Sequence, residues 1–347
     1  MRPSFSSTLL KWNRLHNKRQ MPWKGEKNPY YIWLSEIILQ QTRVEQGLPY
    51  FEKFKKAFPT VQHLAKAPAD KVMKLWQGLG YYSRARNLHF TAKHVANKLN
   101  GQFPVTFEEL RKLKGVGDYT AAAIASFAYN EKRAVVDGNV IRVLSRVFGI
   151  ETPFDTVAGK KEFAALAQQL IDAKKPGVYN QAIMDFGSLV CVPAKPLCNI
   201  CPFKKNCVAN KTERVYELPV RAKKTAIKQR WFNYLLLKNE TEIVVQKRTG
   251  KDIWHGLYQL PLIEVSSKNS GNELNALLRK TACQVASKHS VSQLLSHQKI
   301  HFTFYEIEIK DVSKLHLPDT QKIKLKNLHK YAFPRTIHLY LKQNSLL

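Results

Sequence analysis

The chain has 347 residues, enough for two or three domains with real cores, and its 56 Lys and Arg against 26 Asp and Glu leave a formal charge of +30. Apolar residues at 44% and aromatics at 11% exclude a disordered chain, and without a run of eighteen apolar residues no membrane span is expected. The excess is +22 over residues 1–230 and +8 over the rest, so the partner to expect is a long polyanion, nucleic acid first among them. The opening residues Met1 to Ser7 lack the apolar core of a secretory signal. The expected protein is cytoplasmic, nucleoid-associated and monomeric.

Residues 1–210 read as helical. Asn28 and Pro29 make a start signal, an Asn cap with Pro in the first turn. Apolar residues at helical spacing follow over Tyr31–Phe51. Within this stretch Glu36 stands among apolar neighbours; taken alone, it reads as a solvated acid on a helix face. Further helices are expected at Thr60–Gln77, Tyr82–Leu99, Thr106–Leu113, Tyr119–Ala128, Val140–Phe148 and Lys160–Ala173, with short Gly- or Pro-bearing breaks between them. Across 112–124 one helix ends, Gly115-Val116-Gly117 turns tightly, and a small-residue helix begins. Two glycines let the backbone approach a ligand, and a helix N-terminus adds partial positive charge, so the segment suits a phosphate. As a bare pattern it is only a helix–turn–helix connection. Asp137 follows an apolar run and precedes Gly138, the ordinary setting of a turn former or helix cap.

Four of the five cysteines lie within 191–207: Cys191, Cys198, Cys201 and Cys207, spaced C-x6-C-x2-C-x5-C. Four soft sulfur ligands this close converge on one metal centre. Structural zinc sites show two tight pairs. Only one exists here, so the spacing favours a four-iron, four-sulfur cluster. Cys283 stands apart as an ordinary small core residue. Residues 211–230 read as a polar, basic linker. Beyond it, Trp231–Leu237, Glu242–Gln246, Leu257–Val265 and Lys299–Ile309 read as strands and Asn272–Ala286 as a helix, a smaller α+β domain.

The glycine hairpin, the acid twenty residues later and the 6-2-5 cysteine spacing together resemble the helix-hairpin-helix DNA glycosylases of the endonuclease III superfamily, over residues 8–210. Pro22-Trp23, Trp33 to Thr42, Gln77 to Leu88, Val136 to Arg142 and Tyr179 to Gly187 narrow the resemblance to the MutY-type adenine DNA glycosylases. It implies a mainly α glycosylase domain with one [4Fe-4S] cluster on the four cysteines, followed over 231–347 by a Nudix-like α+β domain. The implied substrate is duplex DNA with adenine opposite 8-oxoguanine or guanine, and the implied reaction is base excision. Glu36 would be the general acid, Asp137 the stabiliser of the oxocarbenium-like sugar, and Tyr119 and Asn139 their positioning partners. Arg19, Trp23 and Gln181 would line the adenine pocket. Gly115 and Gly117 would hold phosphate. Gln41, Thr42, Leu79, Tyr81, Ser296 and His297 would meet the lesion, with Leu79 or Tyr81 as a wedge. Strand-cleaving relatives carry Lys where this chain has Tyr119, so efficient lyase activity is not expected. The candidate helix at 272–280 lacks the paired glutamates of a Nudix hydrolase, which makes the second domain a recognition module. Competing readings are a bifunctional enzyme for oxidised pyrimidines, a non-catalytic DNA-binding protein and an iron–sulfur electron carrier.

Overall fold

Residues 4–222, 227–267, 285–295, 297–308 and 319–347 are described by the computed structural model. The chain divides into two units, Met1–Lys66 with Asn87–Lys223 and Ala67–Arg86 with Lys224–Leu347. In chain order the helices are α1 (Phe5–His16), α2 (Pro29–Leu39), α3 (Val44–Ala57), α4 (Val61–Lys66), α5 (Ala69–Trp76), α6 (Ser83–Lys98), α7 (Phe107–Leu110), α8 (Asp118–Tyr129), α9 (Gly138–Phe148), α10 (Val157–Leu170), α11 (Pro176–Leu189), α12 (Val208–Lys211) and α13 (Arg335–Gln343). None among the described residues is long and apolar enough to cross a membrane.

The first unit is built around α2. Asn28 caps it, accepting from the Tyr30 amide with Pro29 in the first turn. Eight of its eleven residues are buried, the mark of a helix enclosed on all sides. It packs on α8, whose Ala121, Ala122, Ala123 and Ala125 are too small to hold the two backbones apart. A second core joins α1, α9, α10 and α11 through Leu9, Trp12, Val143, Leu144, Phe163, Ile183 and Phe186. Phe203, from the cysteine loop, enters this core. It stacks on Phe5 at 4.6 Å and meets Phe186 edge-on at 5.3 Å. Burying one such ring is worth about 1.5–3 kcal/mol. A Cβ on Gly187 of α11 would lie 2.7 Å from the Asn139 Cβ, so only glycine lets α11 cross this close to the start of α9.

The second unit holds strands β1 (Lys228–Lys238), β2 (Glu242–Lys247), β3 (Tyr258–Gln259), β4 (Leu262–Val265), β5 (Val285–Leu294), β6 (Gln298–Glu308) and β7 (Thr320–Lys324). Their order is β3-β2-β1-β6-β5, with β4 on β1 and β7 on β2. The long β1–β6 pair is parallel, in register from Lys228↔Gln298 to Lys238↔Glu308. Alternate residues Phe232, Tyr234 and Leu236 on β1 and Ile300, Phe302 and Phe304 on β6 share one core with Phe333, Ile337 and Leu341, as the two-residue strand period requires. The α5 segment belongs here. Lys74 Nζ donates to the Tyr331 carbonyl at 2.9 Å, Lys247 Nζ to Asp70 at 2.8 Å, and Arg86 to the His255 carbonyl at 2.6 Å.

Several expected elements differ. The stretch Tyr31–Phe51 is two helices, broken at Gln40–Arg43, where Gln41 takes φ +55°. Thr60–Gln77 is split by Pro68, whose ring cannot continue a helix. Leu257–Val265 is two short strands around Leu260 and Pro261. Helix α11 (Pro176–Leu189) lies outside the expected helices and carries the Tyr179 to Gly187 motif. The expected helix at Asn272–Ala286 lies largely outside the described residues, as does Cys283, but its last two residues begin β5.

Candidate active site

Two helix starts and one buried helix build the site. Asp137 caps α9: its carboxylate accepts from the Val140 amide at 2.8 Å and from Asn139 Nδ2 at 2.8 Å. Asn139 cannot turn its amide over, because Arg142 donates to its Oδ1 at 2.8 Å. Arg142 in turn donates to the carbonyls of Gly187 and Cys191, each at 2.6 Å. The guanidinium thus fixes the start of α9 against α11 and the cysteine loop.

Glu36 on α2, Tyr119 on α8, and Asp137 and Asn139 line one cavity of about 490 Å³, with Arg19, Trp23, Thr42 and Gln181 on its walls. Glu36 is only 7% exposed. Burial lifts its pKa from 4.5 to about 7; the Tyr119 hydroxyl hydrogen bond opposes this and the Asp137 charge adds to it. Asp137 is also raised by burial, but the Val140 amide, the Asn139 side chain and the Arg142 charge all pull it back. The two carboxyls therefore differ in kind. Glu36 is a nearly dry acid held by one phenol, and Asp137 is an acceptor surrounded by donors. Tyr119 is held as a neutral phenol by burial and by both neighbouring acids.

A family model described as HhH-GPD superfamily base excision DNA repair protein matches residues 34–172, and one for the NUDIX domain matches 233–343. The adenine DNA glycosylase of Buchnera aphidicola subsp. Schizaphis graminum is 33% identical over 346 residues, 97% of each chain. The chain belongs to the adenine DNA glycosylase family. It is a DNA N-glycosylase of base excision repair, as the model matching residues 34–172 and the relative matching 97% of the chain agree. Among solved structures, a thermostable thymine-DNA glycosylase is 31% identical with a TM-score of 0.56, covering 60% of this chain and 95% of that one. An endonuclease III solved in a non-covalent complex with DNA shares the fold at 21% identity and a TM-score of 0.51, covering 59% and 94%.

The glycosylase's hairpin has the geometry its glycines require. Gly115 has φ +81°, and a Cβ there would fall 2.7 Å from the Asn87 Cβ, so both conformation and space demand glycine. Gly117 caps α8, with open space beside it. Of the remaining expected site residues, Gln41 and His297 are exposed and Thr42 half-buried. Leu79 is 4% exposed and Tyr81 46%. Ser296 lies outside the described residues.

Cys191, Cys198 and Cys201 are half-buried and Cys207 is buried. Burial pushes the Cys201 thiol up to about 12, with the other three cysteines adding to the shift. Among the described residues no group of three or more His, Cys, Asp or Glu is placed to hold a metal ion. Buried Arg146 anchors the loop: it donates to the carbonyls of Val192 and Pro193 and reaches the Cys191 Sγ at 3.5 Å.

Two parts of the site were not singled out from sequence. Asp185 on α11 is fully buried and accepts from Asn17 at 2.8 Å, Arg19 at 3.2 Å, Lys24 at 3.2 Å and Gln181 at 3.1 Å. It ties the irregular 17–24 segment, which carries Arg19 and Trp23, to α11. Its signal was an acid in the otherwise apolar stretch Ile183 to Phe186. The anchors Arg142 and Arg146 lie one turn apart on α9, on the face that carries Asn139.

Proposed function

We propose that this glycosylase removes adenine mispaired with 8-oxoguanine, or with guanine, from duplex DNA, acting as a monomer at the nucleoid and leaving the strand uncut. The observation that carries this reading is Glu36, a buried carboxyl with a pKa near 7 whose cavity also holds Asp137. Adenine is a poor leaving group as an anion. A proton delivered to its N7 lets it depart neutral, and an acid still protonated near pH 7 can deliver it. The deoxyribose left behind is oxocarbenium-like. Asp137, with donors converging on its oxygens, is the carboxylate suited to remain charged against it. Asn139 holds that carboxylate, and the Tyr119 hydroxyl, donating to Glu36, orients the acid. Arg19, Trp23 and Gln181 then frame the base.

The base reaches such a cavity only by leaving the stack. Exposed Tyr81 suits the wedge better than buried Leu79. Gly115 and Gly117 offer free amides to phosphate. Gln41, Thr42 and His297, with Ser296, would meet the lesion. The four cysteines would hold one [4Fe-4S] cluster. Four thiol ligands spaced C-x6-C-x2-C-x5-C on one short loop support a multi-iron group. When bound, the cluster supplies a covalent clasp for the loop. Exposed Lys195, Lys204 and Lys205 of that loop face a polyanion.

The test is single-turnover excision on duplexes pairing adenine with 8-oxoguanine, adenine with guanine, and an oxidised pyrimidine with guanine. The reading expects adenine release from the first two and no strand break without alkali. Release of the oxidised pyrimidine with concurrent nicking would replace it with the bifunctional alternative.

A further inference from the structure

The groove between α2 and α11 does not end at the catalytic cavity. On α2, Leu39 and Glu36 line the cavity that holds Asp137, while Glu36, Ser35 and Ile32 line a second one. On α11, Ser188, Asp185, Met184 and Gln181 line the first, while Gln181, Val178 and Gly177 line the second. These are successive turns on one face of each helix. The two cavities lie end to end along one groove and share a partition of Glu36, Gln181 and Trp23. Neither Asp137 nor Tyr119 borders the second.

The second cavity has its own mouth. Its rim includes exposed Gly25, Lys27 and Val178, the last 48% exposed. Lys27 Nζ crosses to the Phe127 carbonyl at 2.8 Å, strapping the 24–27 loop to the end of α8. Its volume of about 230 Å³ equals several waters at about 30 Å³ each, which is room for one flat heterocycle. Ile32 and Phe127 give apolar walls. Asn13 and Ser35 give polar edges, the pattern of a small-molecule site.

We propose that this second cavity receives the excised purine base and releases it while the DNA still fills the first. The inference rests on the reading that Glu36 protonates adenine. At the moment of cleavage the sugar and its flanking phosphates block the way the base came in. The freed base lies against the partition, with Glu36 and Gln181 at its edge. Passage then needs only a swing of Trp23, which sits in the irregular loop between α1 and α2 and meets Phe51 edge-on at 5.3 Å. No bond is made or broken after the excision itself.

The experiment uses the full-length holoenzyme on a bead-tethered duplex carrying radiolabelled adenine opposite 8-oxoguanine. Cleavage is scored by alkali, and label is counted in the wash and on the bead–protein complex of the same sample. The parent protein should shed label as fast as it cleaves while it stays on the bead. Val178→Trp, which narrows the mouth at an exposed position, should make label release lag cleavage at least tenfold. Label that leaves the parent only when protein leaves the DNA would overturn the proposal, and so would a Val178→Trp variant whose release keeps pace with cleavage. A second measurement needs no variant. Free adenine titrated into the parent bound to a duplex with a tetrahydrofuran abasic site should still bind, seen by saturation-transfer NMR, and its failure to bind counts equally against the idea. Absence of any cleavage by the parent would instead sink the excision chemistry on which this rests.

Discussion

Replacing Glu36 by Gln should inactivate the enzyme and, above neutral pH, stabilise it. Both effects share one cause. An unfolded Glu ionises near 4.5, whereas this one is held protonated up to about 7. Between those values the folded chain binds the proton that the unfolded chain has lost. Stability then falls as pH rises, because the native state holds more protons. Below 4.5 both states are protonated and nothing is lost; above 7 the full cost is present. One pKa step is worth about 1.36 kcal/mol, so the rise from 4.5 to about 7 amounts to roughly 3 kcal/mol. Gln keeps the shape and the acceptor for Tyr119 but has no charge to bury. Urea unfolding of parent and Glu36→Gln at pH 5 and pH 8.5 isolates this effect, since any pH-independent repacking cost cancels between them. Relative to the parent, the variant should gain about 2–3 kcal/mol on going from the lower pH to the higher. The same difference at both pH values would refute the reasoning, because Glu36 would then not be a buried acid. The companion activity profile of the parent should fall tenfold per pH unit above about pH 7 as Glu36 loses its proton, and fall again at acidic pH as Asp137 gains one.

Three further substitutions probe the supports. Asn139→Ala removes a donor to Asp137 and leaves Arg142 short of an acceptor; a hydrogen bond to a charged group is worth about 1.5–3 kcal/mol, so single-turnover excision should drop roughly 10- to 100-fold, with DNA affinity in a gel-shift titration little changed. Asp185→Asn leaves Arg19 and Lys24 facing a neutral group inside the fold; removing one partner of a buried ion pair costs about 3–5 kcal/mol, discounted here because both cations are 24% exposed, so a melt should show a loss of a few kcal/mol. Gly115→Ala forces a side chain into φ +81° and against Asn87; fluorescence anisotropy should show weaker binding to every duplex alike, lesion or not, because the hairpin contacts phosphate.

The parts of the site that sequence made legible are those where one residue type answers a local backbone demand. Gly115 was legible because a left-handed turn before a helix admits little else, and Asp137 because a carboxylate before Gly138 is by default a turn former or a helix cap, and here it caps α9. Glu36 was not legible in this way, since its neighbours gave a solvated face as the default. Its burial comes from α8, eighty residues on, whose run of alanines lets the two helices close. Helix α11 and Asp185 escaped for a related reason: the acid is paid for by Arg19 and Lys24, which approach only in the folded chain. In the second unit, β5 is exposed at every residue but the half-buried Gln293, so it lacks the alternation that made β6 readable. The α5 segment joins this unit through Lys74, Asp70 and Arg86, a partition no linear boundary anticipates.

The most direct measurement is single-turnover adenine release from a duplex pairing adenine with 8-oxoguanine, run beside binding of the same duplex, for the parent, Glu36→Gln and Asp137→Asn. The account predicts that each variant loses excision by at least about a thousandfold, a transition-state loss of roughly 4 kcal/mol, while binding within a few-fold of the parent. Near-normal release by either variant would contradict it.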